Sequence, residues 1–222
     1  MLARASILIY MEQPPYGLTE EEYGVLSELS TPVLIQDYLD TLAINFEKRG
    51  ETCMSPRRVL RTKRAHCMEG ALLAAAALML AKKRPLLLDL KSAEGDDDHV
   101  VVLYREDGRW GALSKTNHAT LRFRDPVYQT VRELALSYFH EYFLNGSGEK
   151  TLRSYSAPFS LRTFGTDWIT SEENLWHIPR ALDQSRHFPI APTRILRTTR
   201  PAVSLERMAG KLTEWKRSDR GT

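Results

Sequence analysis

Residues 68–81 read Met-Glu-Gly-Ala-Leu-Leu-Ala-Ala-Ala-Ala-Leu-Met-Leu-Ala. Wound into a helix, this run is apolar on every side. Such a helix has to lie in the middle of a core, so the rest of the chain must supply elements that surround it. The run is about half as long as a membrane span requires, which places it inside a protein and not a bilayer.

The residue that opens the run is Cys67, preceded by Arg64-Ala65-His66. A cysteine in the first turn faces the positive end of the helix dipole. That end favours the thiolate, which is the nucleophilic form. Downstream, an acidic stretch (Glu94-Gly95-Asp96-Asp97-Asp98) gives way to His99 and the strand-like run Val100 to Tyr104. A cysteine at a helix start followed by a histidine at a strand start is the layout of a nucleophile with its general base.

The flanking elements are legible. Thr19 with Glu22 forms a capping-box pattern. Thr31-Pro32 opens a second helix, with Leu34, Ile35, Tyr38, Leu39, Leu42 and Phe46 at helical spacing, expected to end near Arg49-Gly50. Ser55-Pro56 opens a third, short helix. Lys82-Lys83-Arg84 and Pro85 close the Cys67 helix. Leu86 to Leu90 reads as a buried strand. Asp107-Gly108 between Val100–Tyr104 and Trp110–Ser114 signals a hairpin. Asp125-Pro126 is expected to cap a helix over 126–144 with an aromatic packing stripe. One or two more strands are expected in Thr151 to Phe164.

These elements predict an α+β fold in which the buried Cys67 helix packs on an antiparallel sheet. The expected domain covers residues 1–165, with N-terminal helices over 19–62, a core over 64–125 and the 126–144 helix. Residues 166–222 read as a basic, proline-containing extension that wraps the core, pinned by Trp168, Trp176 and Phe188, with a last helix from Val203 to Trp215. A chain of 222 residues buries roughly 70–75% of its unfolded surface, so no staple is needed.

Charge and cysteine usage bound the function. From Arg180 onward there are ten Lys/Arg against four Asp/Glu, so the chain's net charge of +3 is carried by its end. Arg194, Arg197 and Arg200 lack aromatic interleaving and any nucleic-acid module, which argues against nucleic acid as a partner. Two cysteines, Cys53 and Cys67, form neither a disulfide framework nor a metal-ligand pattern. The apolar run Ala5 to Tyr10 is too short for a signal segment. The expectation is a cytoplasmic protein with no membrane partner, no metal and no cofactor.

The Cys67 helix followed by an antiparallel hairpin carrying His99 resembles the transglutaminase-like branch of the papain-like cysteine enzymes. The residues that carry the likeness are Cys67-Met68-Glu69-Gly70-Ala71, His99-Val100-Val101-Val102-Leu103 and Gly108-Arg109-Trp110. The stretch from about Arg64 to Ser114 is a quarter of the chain. The resemblance implies amide or ester hydrolysis, or acyl transfer, through a Cys67 acyl-enzyme with His99 as base. It also implies a peptide or protein amide as substrate.

An Asp that orients the His stands a few residues after the hairpin Trp in that family. Here the chain reads Leu113-Ser114-Lys115-Thr116-Asn117-His118. Ser114 fits best by spacing. Asn117 is the better chemical replacement, because an amide oxygen can hold the imidazole tautomer. Both therefore stand as candidates for the third site.

Several features have two readings. Cys67 alone could be a buried structural thiol, and Cys53 has no identifiable partner. Asp96-Asp97-Asp98 lacks the EF-hand pattern and reads as a solvated loop, although carboxylates beside His99 would favour a Cys⁻/His⁺ pair. Arg57, Arg58, Arg61, Lys63 and Arg64 are either a solvated face or an electropositive rim acting on Cys67. His66 and His118 flank the proposed site. The altered third position keeps a second class open, a non-catalytic binding or scaffold protein on the same fold.

Overall fold

The computed structural model of the chain describes residues 13–48 and 50–213. The Ala5–Tyr10 run, Arg49 and residues 214–222 lie outside the described residues. Within them the protein is α+β. Three short helices lead: α1 (Glu20–Glu28), α2 (Pro32–Thr41) and α3 (Pro56–Thr62). Each starts as its sequence dictates. Thr19 and Glu22 complete a reciprocal capping box, Thr31 caps Leu34 N–H ahead of Pro32, and Ser55 caps Arg58 N–H ahead of Pro56. Strands β1 (Ala43–Ile44) and β2 (Arg64–Ala65) form a small parallel pair that delivers the chain to α4 (Cys67–Leu80). The α2 helix stops at Thr41, short of Arg49, because the chain turns extended at Leu42 to enter β1.

The main sheet follows: β3 (Leu86–Lys91), β4 (His99–Glu106), β5 (Arg109–Leu113), β6 (Arg124–Tyr128), β7 (Ser154–Ser156), β8 (Phe159–Ser160) and β9 (His187–Pro189). Its order is β6-β5-β4-β3-β7-β9, with β8 also against β3, and the pairs are antiparallel. Glu106 pairs with Arg109 around Asp107-Gly108 and Val102 with Leu113, as the hairpin signal requires.

The sheet is covered on both faces, which explains why Leu86–Leu88 and Val100–Tyr104 are apolar at successive positions rather than alternating. Leu87, Val100, Val102, Tyr104 and Leu113 join the cluster around α4, whose residues 68 to 78 are all buried. Leu86, Leu88, Leu90, Val101, Leu103 and Ala112 join a second cluster with Leu134, Ala135, Tyr138 and Tyr142.

The helix expected over 126–144 is not there. Residues 124–128 form β6 at the edge of the sheet, where a proline costs no ladder bond. The helix is α5 (Val131–Ser137), and it starts at Thr130, whose capping box with Glu133 is complete. It runs into a 3-10 turn at Phe139–Glu141 and does not reach Asn145-Gly146.

The segment after 165 contributes α6 (His177–Asp183), α7 (Thr193–Leu196) and α8 (Ser204–Gly210), besides β9. Trp168, Ile169, Leu175, Ile178 and Leu182 belong to the α4 cluster, so this segment completes the core as well as covering it. Among the described residues no helix is long and apolar enough to cross a membrane.

The revised boundary is testable by denaturant unfolding. Thr130→Ala should destabilise the protein by about 1 kcal/mol through loss of the cap. Asp125→Ala, at an exposed edge position, should stay within about 0.5 kcal/mol. The reverse order would place the helix start at Asp125.

Candidate active site

The N-terminus of α4 opens on a cavity of about 290 Å³ lined by Cys67, His99, His66, Asn117, His118 and Leu121, among others. Cys67 is partly exposed there, whereas Cys53 is fully buried.

His99 stands at the first position of β4, and Ser114 directly follows β5. His99 Nε2 lies 2.8 Å from Ser114 Oγ. The Ser114 hydroxyl donates to the Leu121 carbonyl at 2.6 Å. A hydroxyl has one proton to give, so towards His99 the oxygen must accept. Nε2 therefore carries the ring proton, and Nδ1 is left for Cys67. Leu121 is held for this task in a left-handed conformation (φ 59°), with its N–H bonded to Glu141 Oε2 at 2.7 Å and Glu141 paired with Arg124.

Ser114 is fixed from the other side by Gln36. Its amide accepts from Ser114 N–H at 3.0 Å and donates to Ser114 O at 2.9 Å, a side-chain copy of strand pairing. The chain then crosses α4 at Gly70, where a Cβ would sit 2.4 Å from Lys115 Cβ. Glycine at this helix position costs about 1 kcal/mol of helix propensity and permits the close crossing, one turn from Cys67. Lys115 Nζ reaches Leu42 O at 2.6 Å. Asn117, the chemically attractive third residue, lines the cavity but has no bond to His99 among the described residues; Ser114 occupies that position. The reason is register: β5 ends at Leu113 opposite Val102, so the next residue, Ser114, falls opposite Val101, on the same face of the hairpin as His99.

Two residues beside Cys67 organise its surroundings: Glu69, which carried no expected role, and His66, which was expected only to flank the site. Glu69 is fully buried within the otherwise apolar α4. A buried lone carboxylate is strongly disfavoured. Here it accepts from Thr52 Oγ1 (2.7 Å), Met54 N (2.9 Å), Asn45 Nδ2 (3.0 Å) and His66 N (3.1 Å). The loop over 45–54 is thereby tied to the first turn of α4. His66 is the N-cap: its Nε2 lies 2.9 Å from Thr52 O and its Nδ1 3.2 Å from Met68 N. The signal was visible as His66 and Glu69 at capping-box spacing, where an imidazole takes the part usually played by Ser or Thr.

Electrostatics favour the thiolate. Burial alone would raise the Cys67 pKa. Hydrogen bonds and charge from His66 and His99 outweigh it and bring the thiol down to about 5. At His66 burial opposes the cation, but the Cys67 hydrogen bond and the Glu69 charge prevail and lift it to about 9. Cys53 goes the other way, raised to about 12 by burial and by Glu69, and so is inert.

The five cations before Cys67 are not a rim. Arg57 pairs with Glu22, Arg61 with Glu172, Arg58 with Asn174 Oδ1 and Lys63 with Tyr38 OH. None of them lines the cavity. These four hold α3 to its neighbours, and the charge that acts on Cys67 comes from the two histidines.

Asp96, Asp97 and Asp98 line the cavity beside His99. Asp96 takes a hydrogen bond from Thr151 and Asp98 from Ser92. Asp89, Asp98 and Asp183 bring carboxylate oxygens within 4.8 Å of one another. Lys91 already pairs with Asp183, and His187 with Asp89.

The chain matches no protein-family model, and no curated protein shows significant similarity to it.

The pH sign follows from the lowered thiol. The reactive thiolate is present above about pH 5 and is lost as pH falls through that value. Iodoacetamide should modify Cys67 with a midpoint near pH 5 and leave Cys53 of the native protein untouched. A midpoint near the free-cysteine value of about 8.5 would mean that neither imidazole acts on the sulfur.

Proposed function

We propose that this protein is a thiol enzyme of the acyl-transfer type with a transglutaminase-like, papain-like catalytic core, acting on a peptide or protein amide or ester. The observation that carries the reading is the chain His99 Nε2–H to Ser114 Oγ, and Ser114 O–H to Leu121 O. It leaves His99 Nδ1 as the base towards a Cys67 whose thiolate is already favoured. The layout of the fold agrees: a buried helix begins at the cysteine, the histidine starts the adjacent strand, and the orienting residue follows the next strand.

The reaction runs in two balanced steps. The Cys67 proton passes to imidazole, Sγ bonds to the substrate carbonyl carbon, and the bond to the leaving nitrogen or oxygen breaks as that atom receives the proton. Water or an amine then gives a proton to His99 Nδ1, bonds to the acyl carbon, and the C–S bond breaks to restore the thiolate. The backbone N–H of Cys67, in the first turn of α4, has no intrahelical acceptor and suits the oxyanion formed in each step.

The competing reading, a binding protein that has lost catalysis, draws on one observation: a neutral hydroxyl stands where the resembled family carries a carboxylate. Kinetics separate the two. Cys67→Ala should abolish amidase or acyl-transfer activity with unfolding unchanged. Ser114→Ala should lower kcat about 10²-fold, within the range of general acid–base contributions, because the His99 tautomer is no longer held. Asn117→Ala should leave kcat nearly unchanged. Activity that survives Cys67→Ala would refute the proposal. A protein whose thiol is reactive but which turns over no amide or ester would favour the binding role.

A further inference from the structure

We infer that His66 is a second imidazole of the reaction centre, a catalytic residue that exchanges a proton with Cys67 alongside His99, and not only the cap of α4. The inference rests on the acyl-transfer reading above. It comes from the polar contacts of the His66 ring. Nε2 is committed to the Thr52 carbonyl at 2.9 Å, and a carbonyl can only accept, so Nε2 carries a proton. Nδ1 is therefore the nitrogen left for Cys67, the next residue in the chain, and both residues line the same cavity.

The surroundings favour a cation at this ring. Glu69 Oε1 lies 3.5 Å from Nε2 and Glu47 Oε1 3.8 Å away. Cys67 supplies the third negative group when ionised. No cation is paired with His66 among the described residues. A carboxylate buried in an apolar helix needs a strong reason to be there. Its four donors satisfy it without neutralising it, so its charge remains to act on the adjacent ring. The upward displacement of His66 agrees with this geometry.

Met68 N–H, 3.2 Å from Nδ1, competes for the same lone pair. In the neutral ring Nδ1 caps the helix. In the charged ring Nδ1–H faces the thiolate, and the cap is exchanged for an ion pair. One proton is thus held among three groups. The S–H bond of Cys67 breaks as an N–H bond forms at Nδ1 of either ring. On acylation that proton goes to the leaving nitrogen, whose bond to carbon breaks. Both imidazoles are then neutral, so the incoming water or amine meets a free base.

The test is the pH profile of Cys67 alkylation by iodoacetamide in the wild type, His66→Ser, His99→Ala and the double variant. Serine keeps a good helix cap. At pH 6 His66→Ser should react about tenfold more slowly than wild type, its midpoint having moved up by about two units. The double variant should be slower than either single one. A His66→Ser profile that coincides with wild type while His99→Ala shifts would reduce His66 to a cap and overturn the inference. If instead His66→Ser shifts and His99→Ala does not, the His99 assignment fails and His66 stands as the base. Should His66→Ser not fold, the ¹⁵N titration of His66 in wild type and in Cys67→Ala decides. A lower midpoint without the thiol supports the inference, and identical titrations overturn it.

Discussion

The burial of α4 from Met68 to Leu78 is the constraint from which the rest of this structure follows. A helix with no polar side cannot meet solvent, so α1, α2 and α3, the sheet and the turn around Trp168 must all close on it. Its N-terminus opens on the cavity that Cys67 lines. The first turn of a helix also carries N–H groups without intrahelical partners. In a buried setting those groups must be satisfied by neighbours or turned to use. Here His66 and Glu69 satisfy part of the turn, and Cys67 stands at the opening.

Glu69 couples this burial to chemistry. It is an expensive residue in an apolar helix, and four donors from two segments, the loop over 45–54 and the helix N-cap, converge on it. Their convergence fixes the loop over 45–54 against the helix start. It also holds Thr52 O where it can orient the His66 ring. On the opposite side Gln36 and the Gly70 crossing fix Ser114, and Ser114 fixes His99. Cys67 therefore lies between two imidazoles, each held in one tautomer by a carbonyl: Thr52 directly for His66, and Leu121 through the Ser114 hydroxyl for His99. On the proposed acyl-transfer reading a hydroxyl relay replaces a carboxylate, because what a base requires is a defined tautomer, and a serine committed to a carbonyl defines it.

Much of the fold was legible in local patterns because the physics is local. Caps at Thr19, Thr31 and Ser55, the Asp107-Gly108 hairpin and the all-apolar run each read correctly from a few adjacent residues. The misreading at 125–144 has the same origin. Asp-Pro suits a helix start, but β5 needed a partner, and the sheet edge tolerated Pro126. Thr130 with Glu133 offered an equally good cap five residues later. The basic stretch before Cys67 was likewise ambiguous, since its acidic partners Glu22 and Glu172 lie far away in sequence.

By itself the sequence determined that a buried helix begins at Cys67, that a histidine begins a neighbouring strand, and that a hairpin returns the chain to that histidine. Periodicity, capping and turn chemistry act over a few residues, so they can be read in one dimension. Only the tertiary structure decided that Ser114 rather than Asn117 meets His99, that the Leu121 carbonyl sets the tautomer, and that Glu69 and His66 belong to the site. Those choices depend on angstrom-scale distances between segments up to 78 residues apart in the chain. Hydrogen bonding falls off within that scale, and no spacing along the sequence encodes it.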